Sequence, residues 1–265
     1  MRSSYHLCAS AIVLLIAAAG TARGQLVVGN DASCGQWYVL DLINPANNRS
    51  LVGTTTDFQV NGLAADNTTG TLYWIDSNNR LMSAPMTTSG ALTATFIGST
   101  TIGGTNATIT ALAYDSAAGM LVGYKSITGS GSDEGFYQVD TATGACTLLY
   151  AIPVTADDYG GFDYDPAGDV YYATNDNGTA AVRGLYRIEK PWSAPTFTRV
   201  DAYPGTDTDI DGCAVGNGRV YLVNDTASQG AFVWNIAAGA YEAPIAPLPY
   251  TASGPLAGGA WAAGL

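Results

Sequence analysis

The chain has 265 residues, of which 47% are hydrophobic and 12% charged, and its 22 acidic against 10 basic side chains leave a formal net charge of −12. That balance argues against nucleic acid and anionic membrane surfaces as partners. The one histidine, His6, lies in the leading segment, so the remainder has no imidazole for a Ser–His triad, a His-ligated zinc or a His general base.

Residues 1–24 read as a secretory signal peptide. Arg2 gives a positive start, Leu7 to Ala19 is almost wholly apolar, and small residues follow up to Gly24. An apolar run of about 13 residues is too short for the roughly 20 that a spanning helix needs. Cleavage is expected between Ala22 and Gln25. The predicted location is therefore secreted, periplasmic or on the cell-envelope exterior, with no membrane insertion after cleavage. His6 would leave with the segment.

From residue 25 to residue 265 the chain reads as one all-β domain. Short strand-like runs alternate with Gly, Asn, Asp and Pro clusters, and no stretch carries a helical period with capping signals. The first runs are Leu26–Val28, Trp37–Leu40 and Leu51–Val52. A recurring unit then begins at Asn61-Gly-Leu-Ala-Ala-Asp66 and returns at Thr110-Ala-Leu-Ala-Tyr-Asp115 and Gly160-Gly-Phe-Asp-Tyr-Asp165. It appears again at Asp211-Gly-Cys-Ala-Val215 and Gly258-Gly-Ala-Trp-Ala262. The repeat of about 50 residues suits the four strands of a propeller blade.

Within each unit strand A ends in a turn, such as Asp66-Asn-Thr-Thr-Gly70 or Asp115-Ser-Ala-Ala-Gly119, and strand B follows, as in Thr71-Leu-Tyr-Trp-Ile75. A third strand (Phe136 to Asp140) and a fourth (Cys146 to Tyr150, or Leu92 to Phe96) complete the blade. The segment from residue 258 offers only a strand A, and residues 25 to 55 offer only B, C and D. Together they make one blade shared by both ends, which predicts a five-bladed β-propeller with no free sheet edge at the closure. Strand Gly259–Gly264 is expected to pair with Leu26–Val28.

Two resemblances rest on these units. Gly62-Leu-Ala-Ala-Asp66 with Leu72-Tyr-Trp-Ile-Asp76 resembles the YWTD blade of lipoprotein-receptor propellers, and this implies fold alone. Asp211-Gly-Cys-Ala-Val215 through Arg219-Val-Tyr-Leu-Val223, together with Val60-Asn-Gly-Leu63, is similar to the gluconolactonase and senescence-marker-protein propellers. That resemblance implies Asn61 and Asp211 as ligands of one central divalent metal. The family has six blades and a further acidic ligand near its start, where five blades are counted here.

In an antiparallel meander the loops before strand A and after strand B share one face. On that face fall Asp57, Asp157, Asp158, Asp207, Asp209 and Asp211 before A, and Asp31, Asp76, Asn175, Asp176, Asn224 and Asp225 after B. Oxygen ligands gathered at a central mouth suit Ca²⁺. Asn61, Asp158, Asp209 and Asp211 are the candidate metal ligands. Asp207-x-Asp209-x-Asp211-Gly212 begins like a calcium loop, but position 12 is Gly218, where an EF-hand needs glutamate.

Among the other residues, Tyr73, Trp74, Tyr171, Tyr172, Tyr221 and Trp261 are expected to pack between blades. Trp37 and Trp234, on third strands, are expected to be partly exposed. Asn48, Asn67, Asn106, Asn177 and Asn224 begin glycosylation sequons. Of the three cysteines beyond the signal, Cys34 and Cys213 are the expected pair if a disulfide forms. Three functions stay open: a binding module for a small molecule, glycan or protein, a metal-dependent hydrolase of lactonase type, and a carboxylate-based glycoside hydrolase. Glu134, Glu189 and Glu242 are the only glutamates, and none falls at a strand-A start.

Overall fold

The computed structural model describes residues 24–30, 36–42, 49–52, 60–86, 92–126, 134–153, 157–176, 178–206, 209–224, 230–245 and 256–263. They form five sheets, each built on four antiparallel strands, arranged as the blades of a β-propeller. The shared blade holds β1 (Gln25–Asn30), β2 (Gln36–Asp41) and β3 (Arg49–Val52). Blade 1 is β4 (Gly62–Asp66), β5 (Thr71–Ile75), β6 (Arg80–Pro85) and β7 (Thr95–Ser99). A small hairpin follows, β8 (Thr101–Ile102) and β9 (Thr105–Asn106). Blade 2 is β10 (Ala111–Asp115), β11 (Met120–Lys125), β12 (Gly135–Val139) and β13 (Ala145–Ala151). Blade 3 is β14 (Phe162–Asp165), β15 (Val170–Asn175), β16 (Gly184–Glu189) and β17 (Thr196–Asp201). Blade 4 is β18 (Gly212–Gly216), β19 (Arg219–Val223), β20 (Ala231–Asn235) and β21 (Ala240–Tyr241), and β22 (Leu256–Ala262) returns to the shared blade as its inner strand.

The expected closure is observed. β22 pairs antiparallel with β1, placing Leu26 opposite Trp261, Val27 opposite Ala260 and Val28 opposite Gly259. A side chain from blade 1 fastens this strand: Asn67 Nδ2 donates to the Trp261 carbonyl at 2.9 Å, and Asn67 Oδ1 accepts from the Ala263 amide at 2.6 Å. The sequon asparagine thus acts as a backbone-like partner for the last strand.

Two sequence expectations are corrected. The fourth strand of blade 1 is Thr95–Ser99, not Leu92–Phe96, and the β8–β9 hairpin beyond it was not foreseen. β8 runs parallel to β13, so this hairpin covers the outer edge of blade 2 with a piece of the preceding linker.

The repeated Asp and Gly of the turns have a local cause. Asp66 Oδ1 accepts the amides of Thr68 and Thr69, and Asp115 and Asp140 do the same for the residues two and three places on. A glycine at the fourth place, such as Gly70 at φ +71°, turns the chain back through the left-handed region. In blade 4 the turn is Asn217-Gly218, both with positive φ, as a two-residue hairpin requires.

The hydrophobic residues form five clusters among the described residues, one at each junction between neighbouring blades. Both faces of a blade are therefore buried. That explains why Trp37 and Trp234, expected to be partly exposed, are 0% and 5% exposed. Trp37 meets Trp74 edge-on at 4.8 Å across the closure. Trp74, Tyr171, Tyr172, Tyr221 and Trp261 are buried as expected, while Tyr73 is half-buried.

Cys213 is a free, buried thiol packed at the junction of blades 3 and 4 with Tyr172 and Val215, not toward the shared blade. Cys34 is the partner expected for it. Cys34 itself lies outside the described residues, as do residues 1–23, Asp31, Asp57, Asp207 and Asp225.

Candidate cation site at the acidic mouth

Near the start of the inner strand a glycine stands in four blades: Gly62, Gly161, Gly212 and Gly258. A Cβ on Gly62 would stand 2.9 Å from the Ala111 backbone, and one on Gly161 2.8 Å from the Cys213 amide nitrogen. Only a bare backbone allows the inner strands to converge this closely. The gap between them at this level has no room for a water molecule. The ring is plugged near its acidic end, and polar groups gather above the plug.

Blade 3 supplies the frame. At the end of β15, three consecutive residues tie their strand to neighbouring backbone. Thr174 Oγ1 accepts from the Gly161 amide at 2.6 Å and donates to the Ile210 carbonyl at 2.7 Å. Asn175, fully buried, accepts from the Asp158 amide and donates to Asp157 Oδ1 at 2.9 Å. The Asp176 amide donates to the Asp158 carbonyl at 2.8 Å. The bonds of Asn175 and Asp176 hold the linker entering β14, while the Thr174–Ile210 bond holds the linker entering β18 against blade 3, where Asp209 and Asp211 meet Asp176.

Carboxylate oxygens of Asp176, Asp209 and Asp211 all lie within 4.8 Å of one another. Both Asp176 oxygens are shielded from solvent and neither meets a hydrogen-bond donor in bonding geometry. Burial first, then the charges of Asp211 and Asp209, push the Asp176 carboxyl up to about 8, while the nearby Tyr203 hydroxyl and Ile210 amide pull in the other direction. Gly160 forms the back of this cradle: a Cβ there would lie 2.6 Å from Asp211 Oδ1 and 3.0 Å from Asp176 Oδ2.

The four residues named from sequence are distributed as follows. Asp209 and Asp211 join the cluster. Asp158 stands beside it, exposed, with its carboxyl raised by partial desolvation and by the charge of Asp209, and with Ser126 Oγ donating to it at 3.4 Å. Asn61 sits at the start of blade 1, two blades from Asp176, and its Nδ2 donates to the Asp76 carbonyl at 3.3 Å. Asp76 in turn is fully buried and paired with Arg80, whose Nε lies 2.6 Å away. Asp176, noted in sequence only as one acid among those after strand B, takes the central place.

Glu134 adds a further acid below this face. It is buried; Tyr124 Oη lies 2.8 Å from its Oε1 and 3.0 Å from the Asp157 carbonyl, and its Oε2 has no partner. Burial and the charges of Asp157 and Asp158 raise its carboxyl. One tyrosine proton cannot serve two acceptors. A protonated Glu134 donating to Tyr124 would free the tyrosine proton for the carbonyl.

A cation of Ca²⁺ size fits the donors present. Ca²⁺–O distances of about 2.3–2.6 Å place opposed ligand oxygens roughly 5 Å apart, close to the spread observed, and the donors are all hard oxygens. Asp176, Asp209 and Asp211 would hold the ion, and Gly160 leaves the space.

No family model matches the chain, and no curated protein matches it by sequence. Among solved structures it is similar to a structural-genomics protein of unknown function from Bacteroides thetaiotaomicron, with a TM-score of 0.51 and 14% identity over 88% of this chain and 64% of that one. The chain thus spans about two-thirds or less of that protein's length. Weaker likenesses are to a putative 6-phosphogluconolactonase from Bacteroides uniformis (TM-score 0.41, 12% identity, 87% of this chain and 70% of that one) and to the dihydro-heme d1 dehydrogenase NirN (0.42, 12%, 86% and 45%). At 14% identity the first likeness speaks to the fold alone.

Proposed function

We propose that the protein is an exported binding propeller whose acidic mouth takes Ca²⁺ and presents it to a small molecule, glycan or protein. The observation that carries this reading is Asp176. Its two carboxylate oxygens are removed from water, meet no donor in bonding geometry, and face two further carboxylates. Like charges so placed disfavour ionisation unless a cation joins them. A bound ion would offset the repulsion among the three and leave coordination positions toward solvent for an oxygen-bearing partner.

Calorimetric titration of Ca²⁺ into chelator-treated protein tests the site. One site per chain is expected, with a rise in melting temperature that follows occupancy. Gly160→Ala should abolish the heat, because its new methyl would occupy the cradle between Asp211 and Asp176. Absence of both heat and thermal shift in the wild-type protein would remove the cation from the reading. A hydrolase would use the same ion to polarise a carbonyl. Turnover of lactones by the Ca²⁺-loaded protein is the result that would move the reading from binding to catalysis.

A further inference from the structure

The turn end of the ring, opposite the acidic mouth, contains a cavity of about 470 Å³. That volume is within the range of small-molecule sites. All five blades contribute to its wall, including Asn67, Tyr114, Tyr164, Asn217 and Trp261, with Asp163 from β14. Trp261 is fixed by stacking on Tyr221 at 5.3 Å and 3°, and Tyr114 stacks on Tyr73 at 6.3 Å. These walls are held in place by packing, as a preformed site requires.

The charge pattern of the lining selects among ligands. It includes no lysine or arginine among the described residues; its charged side chains are Asp163 and Asp165. Asp165 serves its own turn by accepting the Ala167 amide at 3.0 Å. Asp163 is different. Its neighbours Phe162 and Tyr164 point into the junction with blade 2, so alternation turns Asp163 toward blade 4, where it is 7% exposed. Oδ2 accepts from the Val215 amide at 2.6 Å and Oδ1 from the Tyr164 amide at 2.9 Å. Two amides hold the carboxyl in position, yet no basic side chain pairs with it among the described residues, and burial raises its proton affinity to about 7.

We propose that this cavity is a second ligand site, taking a small organic ammonium whose apolar body lies among Tyr114, Tyr164 and Trp261 and whose charge is directed to Asp163. An anion would meet two carboxylates and no base. A bare metal ion would find one available carboxyl in a largely apolar space, too few hard ligands. An ammonium supplies the positive charge that Asp163 lacks, and aromatic walls attract cations as well as covering apolar groups.

Three probes of one shape and different charge test the proposal: benzylammonium, benzyl alcohol and benzoate, titrated calorimetrically into the intact protein at pH 8. Benzylammonium should bind at one site at least about tenfold more tightly than benzyl alcohol, the usual worth of a hydrogen bond to a charged group. Benzoate should give no heat. Asp163→Asn should weaken benzylammonium by about tenfold or more while keeping an acceptor for the Val215 amide. Ala167→Trp, on an exposed turn at the rim, should block the cavity without touching the core, and it carries the test should the first variant not fold. Asp209→Asn at the acidic mouth should leave benzylammonium binding unchanged, which keeps this outcome separate from the Ca²⁺ reading. Equal affinity for benzylammonium and benzyl alcohol, binding of benzoate, no binding of any probe, or binding that survives Ala167→Trp would each overturn the proposal.

Discussion

At one end of the ring the inner strands enter from linkers of varied length, and at the other they fold back through tight turns; both ends are rich in aspartate. At the turn end the aspartates that open the turns have a structural task. Asp66 and Asp115 are buried and hold turn amides, and their carboxyls lie below the usual range because hydrogen bonds outweigh the opposing effect of burial. At the linker end, Asp176 sits with acids for neighbours and is raised. The same side chain thus reinforces the fold at one end and resists it at the other. The partners within reach decide which, not the residue type.

The sharpest test of that contrast is an aspartate at the turn end that breaks the pattern. Asp163 is held above the ordinary aspartate value of 3.8, at about 7, by burial, with Asp165 adding to the rise. Between those two pH values the folded chain keeps a proton that the unfolded chain releases. Stability therefore falls as pH climbs from about 4 to 7 and is flat in this respect above it, an effect of at most about 4 kcal/mol. Asp163→Asn cannot ionise and should lack this slope. Urea melts of both proteins from pH 4.5 to 8 read the difference directly, since Asp165 and the facing Cys213 thiol are present in each.

A smaller effect is expected at Asp115. Its Oδ2 accepts from Lys190 Nζ at 2.8 Å and from the Tyr171 hydroxyl at 2.7 Å, and Lys190 also reaches Asp169. Lys190→Met removes the cation and leaves a buried carboxylate behind, at a cost of about 2 kcal/mol after allowance for the partial exposure of the lysine. Chemical denaturation at pH 7 should show the loss, and lowering the pH should narrow it.

The smallest effect should carry the opposite sign. In the presence of chelator, Asp209→Asn relieves repulsion at the linker end and should raise stability by up to about 1 kcal/mol. The same substitution should abolish stabilisation by added Ca²⁺. Thermal melts with and without Ca²⁺ check both statements, and a loss of stability in chelator would place Asp209 among the structural aspartates instead.

Most of the architecture was legible because the repeat is written in residues with local duties. Asp and Gly mark each turn, glycine marks the crowded strand starts, and the spacing counts blades, including the one split between the chain's two ends. Other features depend on what lies across a junction. Trp37 and Trp234 looked partly exposed because they lie on third strands, and the sequence does not say that neighbouring blades cover both faces of those strands. The β8–β9 hairpin is only two residues per strand and has no period to read. At the acidic mouth, sequence placed Asp176 on the correct face, but its selection over Asn61 follows from Thr174 bonding the Ile210 carbonyl and so drawing the next linker against blade 3. Nothing in the local sequence of Asp163 distinguishes an acid turned inward from one turned to solvent.

The split blade has a directional consequence. β22 runs toward the turn end and β1 starts from it, so Gly24 and Ala263 leave the ring on the same side, where a Cβ on Gly24 would collide with the Trp261 indole. A tether joined at Gly24 or at Ala263 would therefore meet the turn end and leave the acidic mouth on the far side of the ring. Coupled to a surface at either of these two positions, the ring would turn its carboxylates outward in the same orientation.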